Sequence, residues 1–431
     1  MTGSRRGSTP ACRPPSSCRR PRRAGSSRRS RRSSLPTRED VAAWLAATWE
    51  PDRPLREWRE LLADSGWGCP TWPVEWFGRG LAEADAAVVR EEFARSGAVG
   101  TAGGSAMSLA APTILEHGSD DVRGRLLRPA ITGEHTWCQL FSEPGSGSDL
   151  AGLTTRADRD GDEWVVSGQK VWNTGAVKAD YGMLLARTDW DVPKHRGITW
   201  FALPMRQPGV EVRPLRQMND YSSFNEVFLS DARVPHANVV GEVGGGWAVA
   251  LTTLMFERTM AAARLAFVPE AAAGRCAAEA RAEAEAYAQT YVWYPQRAGR
   301  ADLVAAAHSH DPVARQRIAQ VVVRERTMRW NAARAQAARR QGKPPGPEGS
   351  LAKLAASEVA RLSALAHTTL HGADAMLAGD VVHEILVSVP AVSIAGGTDE
   401  VQHNIIGERV LGLPKEPSAD ADVPFREVRR N

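Results

Sequence analysis

The chain has 431 residues, of which 43% are hydrophobic, enough for two or three globular domains with sizeable cores. No apolar run reaches the roughly 18 residues of a membrane-spanning helix, and the N-terminus lacks the apolar stretch of a secretory signal. The five cysteines are odd in number and lack metal-ligand spacing, so the sequence predicts no disulfide framework, no metal site and a cytoplasmic location.

Charge is divided unevenly along the chain. The net charge is +4, but residues 1–35 contain 11 arginines and no acidic residue, so residues 36–431 carry −7. This mildly acidic body argues against nucleic acid as a partner. Residues 1–35 are Arg/Ser-rich and predicted to be a disordered tail. Four interpretations are open: a non-native extension from an upstream start codon, a transit-like segment, a nucleic-acid-binding arm, or a solubilising tail.

Hydrophobic periodicity divides the rest of the chain into three parts. Over residues 36–137, apolar residues recur at three- and four-residue spacing, which predicts an N-terminal helical domain. Residues 138–241 contain short alternating segments, with Asp160-Gly161 as a hairpin signal, and predict an antiparallel β domain. Helical periodicity returns over residues 242–415, and residues 416–431 form a tail. The predicted fold class is α+β, with a β domain between two helical ones.

Three stretches have compositions suited to ligand binding, although each has an ordinary structural explanation. CQLFSEPGSGSDLAG (138–152) has the composition of a flexible linker, yet its glycines would let backbone N–H groups approach a phosphate or carbonyl. In GQKVWNTGA (168–176), Trp172 is either a core residue or, beside Thr174, a wall for a flat ring. AGGTDEVQHNIIGERVLGLP (395–414) opens with a helix cap, which could also meet a pyrophosphate.

In this order and spacing, the motifs SEPGSGSD, GQKVWNTG, NEVFLSDARVP and GGTDEVQHNIIGERVLG resemble those of the acyl-CoA dehydrogenase family. The resemblance covers about residues 40–415 and implies the family fold: an N-terminal helical domain, a middle β domain and a C-terminal four-helix bundle. It also implies FAD as cofactor, an acyl-CoA substrate and an electron-transfer flavoprotein as electron acceptor. A homotetramer is usual in the family, and a dimer or a heteromer with a related subunit is left open.

The resemblance assigns flavin contacts to the first two motifs. Phe141 and Ser142 match the residues that contact the isoalloxazine ring. Trp172 and Thr174 match the pair beside flavin N5 and O4, and Asn173 replaces the usual apolar residue between them. These assignments follow from the family pattern and not from composition.

The third motif matches the family segment that contacts the FAD ribose and pyrophosphate, through Gly397, Thr398 and Glu400. Two departures from the family stand out. Many relatives carry a catalytic glutamate directly before the Gly-Thr pair, where this chain has Gly396. The family's arginine-plus-FG signature is also absent, and residues 288–303 offer only unaligned arginines in its place.

A charged pair, Glu257-Arg258, lies inside the otherwise apolar run LTTLMFERTMAAA (251–263). On a helix the neighbours of Glu257 are apolar or small, so its carboxylate is predicted to be largely desolvated, as a base near neutral pH requires. A structural ion pair between helices is the ordinary alternative. Isovaleryl- and long-chain-type acyl-CoA dehydrogenases are similar here, since they place their base before the matching arginine. The resemblance therefore implies Glu257 as catalytic base, with Ser148 and Arg258 as substrate contacts.

The expected reaction is α,β-dehydrogenation of an acyl-CoA thioester, in which Glu257 takes the α-proton and a hydride leaves the β-carbon for flavin N5. Three alternatives keep the fold: a catalytically silent partner subunit, a flavoprotein that binds DNA through the arginine-rich arm, and a flavin oxidase or monooxygenase. Small residues in MAAARLA and KLAASEVARLSALAH suggest room for a bulky acyl group.

Overall fold

The computed structural model describes residues 38–259, 266–290, 310–341, 346–347, 349–379, 381–417 and 420–428. The chain begins with a layer of helices around a core that includes Trp58 and Phe93. Gly66 (φ 73°) and Gly97 (φ 72°) end two of them in the left-handed conformation that glycine tolerates best. The five helices are α1 Arg38–Thr48, α2 Leu55–Ser65, α3 Glu83–Ser96, α4 Ala111–His117 and α5 Asp120–Thr132.

An eight-stranded sheet follows, in the order β6-β7-β3-β2-β4-β5-β8, with β1 beside β4. The hairpin predicted at Asp160-Gly161 is confirmed, since β2 and β3 pair antiparallel there. The predicted antiparallel β domain is confirmed for most strand pairs, but β1 and β2 both run parallel to β4. In the chain, the β2–β3 hairpin separates β1 from β4 and so provides the crossover that a parallel pair requires. The strands are β1 Trp137–Leu140, β2 Arg156–Asp160, β3 Glu163–Lys170, β4 Tyr181–Arg187, β5 Ile198–Pro204, β6 Val210–Leu215, β7 Phe224–Pro235 and β8 Val239–Val240.

Strands β4 and β5 are buried on both faces. Met183 and Trp200 pack into a cluster shared with α4, α5 and the helix Gly246–Thr259 (α6), whereas Leu184 and Phe201 pack into a second cluster with Val227 of β7. Alternation of side chains along each strand sends neighbours to opposite faces. The centre of the sheet is therefore a fixed frame for β1 and for the loops that carry the first two motifs.

The C-terminal helices divide between two supports. Helix α6 packs on β5 and α4, where Thr253 and Thr113 share a hydrogen bond (3.1 Å). Helix α7 instead packs on the N-terminal layer, where Arg59 pairs with Glu283 (2.7 Å), and α8 runs along α9. The helices are α6 Gly246–Thr259, α7 Gly274–Thr290, α8 Pro312–Arg340, α9 Gly349–His371, α10 Val381–Ser388, α11 Pro390–Ile394 and α12 Asp399–Ile405.

Two further features bear on function. Among the helices of the described residues, none is both long and apolar enough to cross a bilayer. Beyond α12, residues 420–428 return to the sheet domain, and Phe425 is buried there. The tail predicted over residues 1–35 and the segment 288–303 lie wholly or mostly outside the described residues.

Candidate active site

Strand β1 ends at Leu140 and delivers Phe141 and Ser142 to the centre of the site. The Phe141 side chain is buried and Ser142 is half-buried. The carbonyl of Ser142 accepts a hydrogen bond from the backbone N–H of Val171 (2.9 Å). Because Val171 follows directly on β3, this bond holds the first predicted motif against the second.

A buried ion pair supports the same two segments. Lys170 Nζ lies 2.9 Å from Glu143 Oε1 and donates to the carbonyl of Phe141 (3.0 Å). Glu143 also accepts the backbone N–H groups of Thr154 (2.7 Å) and Thr155 (2.8 Å). Burial alone would raise the pKa of Glu143, but the Lys170 charge and the hydrogen bonds lower it to about 2. The carboxylate is therefore ionised at neutral pH. It links the start of the SEPGSGSD loop to Thr154 and Thr155, just beyond the end of that loop.

The residues after β3 form a turn with an unusual backbone. Trp172 has a φ of 65°, in the left-handed region that bulky residues rarely adopt. Its indole is 57% exposed and lies edge-on to Phe224, with ring centroids 5.7 Å apart. Asn173 is buried and donates from Nδ2 to the carbonyl of Gln139 (2.7 Å), and Thr174 beside it is half-buried. An exposed aromatic face on a backbone held in one conformation can form the wall of a site for a flat ligand.

Ser148 is exposed on the loop that follows Glu143. The loop is braced from both sides, since Ser146 Oγ donates to the carbonyl of Asp149 (2.6 Å) and Asp149 pairs with Lys194 (3.0 Å). A Cβ added at Gly147, next to Ser148, would meet no described residue within 4 Å. Ser148 is thus presented to solvent by a braced loop, as a contact for a ligand from outside requires.

Helix α6 brings Glu257 to β1. Its carboxylate Oε2 lies 3.5 Å from Nε2 of Gln139, and the side chain is half-buried rather than enclosed. It is less desolvated than predicted, because α6 presents it at the boundary between the sheet and the helices. The Arg258 side chain and residues 260–263 of the apolar run lie outside the described residues.

The third motif is held in place by Asp399, an acidic residue within it. Thr398 caps α12, as predicted, by accepting the N–H of Val401 at Oγ1 (3.2 Å). Asp399 is buried and pairs with Lys353 (2.9 Å) and Arg361 (2.5 Å), both on α9. Burial raises the pKa of Asp399, but hydrogen bonds from these cations and from a serine lower it to about 2. The Gly-Gly-Thr turn is thereby fixed to α9.

Two glycines shape that turn. Gly396 (φ 66°) and Gly397 (φ 85°) are both in the left-handed region. A Cβ on Gly397 would lie 2.6 Å from Nε2 of Gln402, whereas one on Gly396 would meet none of the described residues within 4 Å. Gln402 donates from Nε2 to the carbonyl of Gly396 (3.0 Å), and Glu400 is exposed beside it. Only backbone can therefore occupy position 397 in this geometry.

The structure brings the first two motifs and Glu257 together around β1, and it holds the third motif on α9. Sequence reasoning missed two groups in this arrangement. Gln139 lies on β1, two residues before Phe141, so the alternation of an extended chain could have placed both side chains on one face. The Glu143–Lys170 pair spans 27 residues, and no local pattern in the sequence indicates it.

Three family models match the chain in succession: the acyl-CoA dehydrogenase N-terminal domain over residues 37–134, the middle domain over 138–232 and the C-terminal domain over 285–411. The chain belongs to the acyl-CoA dehydrogenase family. The α+β fold class and the family predicted from the motifs are confirmed. Members of the family are oxidoreductases of lipid metabolism that generally depend on FAD.

Two mycobacterial acyl-CoA dehydrogenases are similar over most of the chain. FadE34 of Mycobacterium tuberculosis is 38% identical over 386 residues, which are 88% of this chain and 49% of FadE34. The chain thus spans about half the length of that relative. IpdE1 of the same organism is 35% identical over 368 residues, covering 84% of this chain and 88% of IpdE1.

Solved structures of acyl-CoA dehydrogenases superpose over most of the chain. The Tcur3481-Tcur3483 steroid ACAD gives a TM-score of 0.60 at 25% identity and covers 88% of this chain and 97% of its own. The ChsE4-ChsE5 complex from Mycobacterium tuberculosis gives 0.57 at 26% identity, with the same coverage.

The described residues of this chain fit a flavin ligand. Two buried side-chain oxygens, Asn173 Oδ1 and Gln402 Oε1, have no hydrogen-bond donor among the described residues. FAD carries N–H and hydroxyl donors that buried acceptors need. The exposed face of Trp172 provides a flat wall, and the turn at Gly396, where an added Cβ would meet none of the described residues within 4 Å, leaves backbone open to close approach.

Proposed function

We propose that this chain catalyses the FAD-dependent α,β-dehydrogenation of an acyl-CoA thioester, with Glu257 as the base. The observation that carries the proposal is the contact of Glu257 with Gln139 of β1, 3.5 Å between oxygen and nitrogen, shortly before Phe141 and Ser142 in the chain. This contact puts a half-buried carboxylate beside the residues that match the isoalloxazine contacts. A base next to the ring site is the arrangement that removal of an α-proton requires.

Each group of side chains then has a task. Glu257 takes the α-proton, and the Gln139 amide donor holds its carboxylate in place. FAD, when bound, supplies the hydride acceptor for the β-carbon. Ser148 contacts the CoA moiety from its exposed loop, and Arg258 contacts the substrate beside the base. The remaining assignments are flavin contacts: Phe141, Ser142, Trp172 and Thr174 at the ring, and Gly397, Thr398 and Glu400 at the dinucleotide end.

The relatives support a bulky acyl group. One solved relative is described as a steroid ACAD, and the segment 353–367 of α9 is rich in alanine and serine. We take a steroid-derived acyl-CoA as the first substrate to test and an electron-transfer flavoprotein as the electron acceptor. The ChsE4-ChsE5 complex has two components, which supports testing a heteromer with a related subunit beside a homodimer or homotetramer.

The test is anaerobic bleaching of the bound flavin by a panel of short, branched, long and steroid-derived acyl-CoAs. Glu257→Gln should keep its flavin and lose at least about 100-fold in bleaching rate, because a general base contributes about 100- to 10,000-fold. Glu242→Gln is the matched control, since Glu242 is exposed just before α6. Bleaching of Glu257→Gln at the wild-type rate would refute the assignment of the base.

A second candidate is a catalytically silent subunit of a two-component dehydrogenase. Gly396 favours it, because many relatives carry their base at that position. This candidate predicts that the chain alone bleaches with no member of the panel, and that mixing with a related subunit produces activity that Glu257→Gln does not change. Activity of the chain alone would remove the candidate.

A further inference from the structure

The last described residues, 420–428, form a C-terminal strap over the turn between β4 and β5. Two backbone hydrogen bonds fix it: the N–H of Phe425 donates to the carbonyl of Val192 (2.9 Å), and the N–H of Arg426 donates to the carbonyl of Trp190 (3.0 Å). The Phe425 side chain is only 2% exposed. Terminal residues are usually poorly ordered unless tied down, and backbone pairing around a buried ring ties these residues down.

Phe425 covers the buried side chain of Arg187, which holds the end of the loop that carries Ser148. The Cζ atom of Arg187 lies 3.4 Å from the centroid of the Phe425 ring. The guanidinium donates to the carbonyls of Ala151 (2.7 Å), Leu153 (3.2 Å) and Lys194 (3.2 Å). Hydrogen bonds of a charged donor are stronger when water is kept away. The ring therefore protects the bonds that fix the end of the SEPGSGSD loop.

A second link joins the C-terminal strap to Asp149 in the same loop. Lys194 Nζ lies 3.0 Å from Asp149 Oδ2 and 3.2 Å from Asp420 Oδ2. Asp149 directly follows Ser148, and Asp420 is the first residue of the strap. One largely buried ammonium group thus connects the residue beside Ser148 to the C-terminus.

We infer that the C-terminal strap is a positioning element that orders residues 146–153 and so presents Ser148 to the CoA moiety. Phe425 acts through Arg187, and Asp420 acts through Lys194. The ordering of the loop stands on the contacts alone, whereas its consequence for coenzyme A rests on the proposed function.

Amide hydrogen exchange of the full-length, flavin-loaded protein tests the ordering. In Phe425→Ala, exchange of residues 146–153 should accelerate about tenfold, because lost contacts lower the local opening free energy. Asp420→Asn should give a smaller acceleration and guards against a folding defect in the first variant. Glu427→Ala, at an exposed strap position, should change nothing. Acceleration confined to the strap and to the β4–β5 turn would overturn the inference.

Titration of the same proteins with free coenzyme A tests the consequence. Phe425→Ala should bind about tenfold more weakly than the wild type, while Glu427→Ala binds normally. Equal affinity of wild type and Phe425→Ala, despite faster exchange in the loop, would overturn the role in presenting Ser148. If the wild type fails to bind coenzyme A while exchange still accelerates, the ordering stands and the proposed function fails.

Discussion

Two loops of the site are anchored by the same device in different surroundings. In the sheet, the side chains of Glu143 and Lys170 are 5% and 0% exposed. In the helical part, Asp399 is 7% exposed, but its partners Lys353 and Arg361 are 14% and 50% exposed. A cation in contact with water can replace a lost partner with solvent, and a fully buried one cannot. The loop of the first motif should therefore depend more steeply on its ion pair than the loop of the third.

The largest effect is expected from breaking the enclosed pair. Lys170→Met leaves Glu143 charged and buried without its partner, which costs about 3–5 kcal/mol of unfolding free energy. Flavin content should fall with it, because Lys170 also holds the carbonyl of Phe141. Denaturant unfolding followed by flavin fluorescence measures both.

Two controls separate the charge from the packing. Lys178→Met alters an exposed lysine in the same domain and should leave stability unchanged within about 0.5 kcal/mol. Combining Lys170→Met with Glu143→Gln should recover most of the loss, since replacing both members of a buried pair is often neutral. A double variant as unstable as the single one would show that packing, and not the unpaired charge, is responsible.

The next largest effect is expected from acid, which should weaken the Glu143–Lys170 pair. The pKa of Glu143 is about 2 in the folded chain, against an ordinary value of 4.5, so the stability it contributes is present above pH 4.5 and lost as the pH falls toward 2. The wild type should therefore lose about 2 kcal/mol more than the Glu143→Gln, Lys170→Met double variant over that window. Asp399, whose pKa is also about 2, contributes to both proteins and cancels. Equal acid sensitivity of the two proteins would contradict an ionised Glu143.

The ion pairs of Asp399 with Lys353 and Arg361, whose cations are partly exposed to water, should have a smaller effect on stability. Asp399→Asn should cost about 1–2 kcal/mol, because Arg361 can turn to water and the cap at Thr398 survives. Raising the salt concentration should shrink this loss, whereas it should leave the Lys170→Met loss almost unchanged. Glu400→Gln, one residue further along and exposed, is the matched control. A salt dependence of equal size in both clusters would remove the distinction between them.

The features that the sequence could predict are those set by residues close together in the chain. The cap at Thr398 and the hairpin at Asp160-Gly161 are each set by residues within a few positions, and each is present in the structure. The three-part order of helices, strands and helices follows from periodicity in the same way.

The parts that could not be predicted join residues distant in the chain. Gln139 meets Glu257 across 118 residues, and Glu143 meets Lys170 across 27. The parallel pairing of β1 with β4 and the docking of Phe425 near Arg187 likewise depend on how the sheet closes. Single-sequence periodicity carries no information on such pairings, because it reports only the face of one element.

The smallest expected effect tests one of these distant contacts, between Gln139 and Glu257. Gln139→Leu keeps the backbone carbonyl that Asn173 needs and removes only the amide donor. With the carboxylate less firmly oriented, kcat should fall about fivefold with KM nearly unchanged, since misplacing a base costs rate more than binding. Gln169→Leu is a matched control, because Gln169 makes a similar bond to Glu226 (3.3 Å) on another part of the sheet. If kcat were unchanged in Gln139→Leu, the strand would carry the flavin residues without positioning the base, and orientation of Glu257 would have to come from α6 alone.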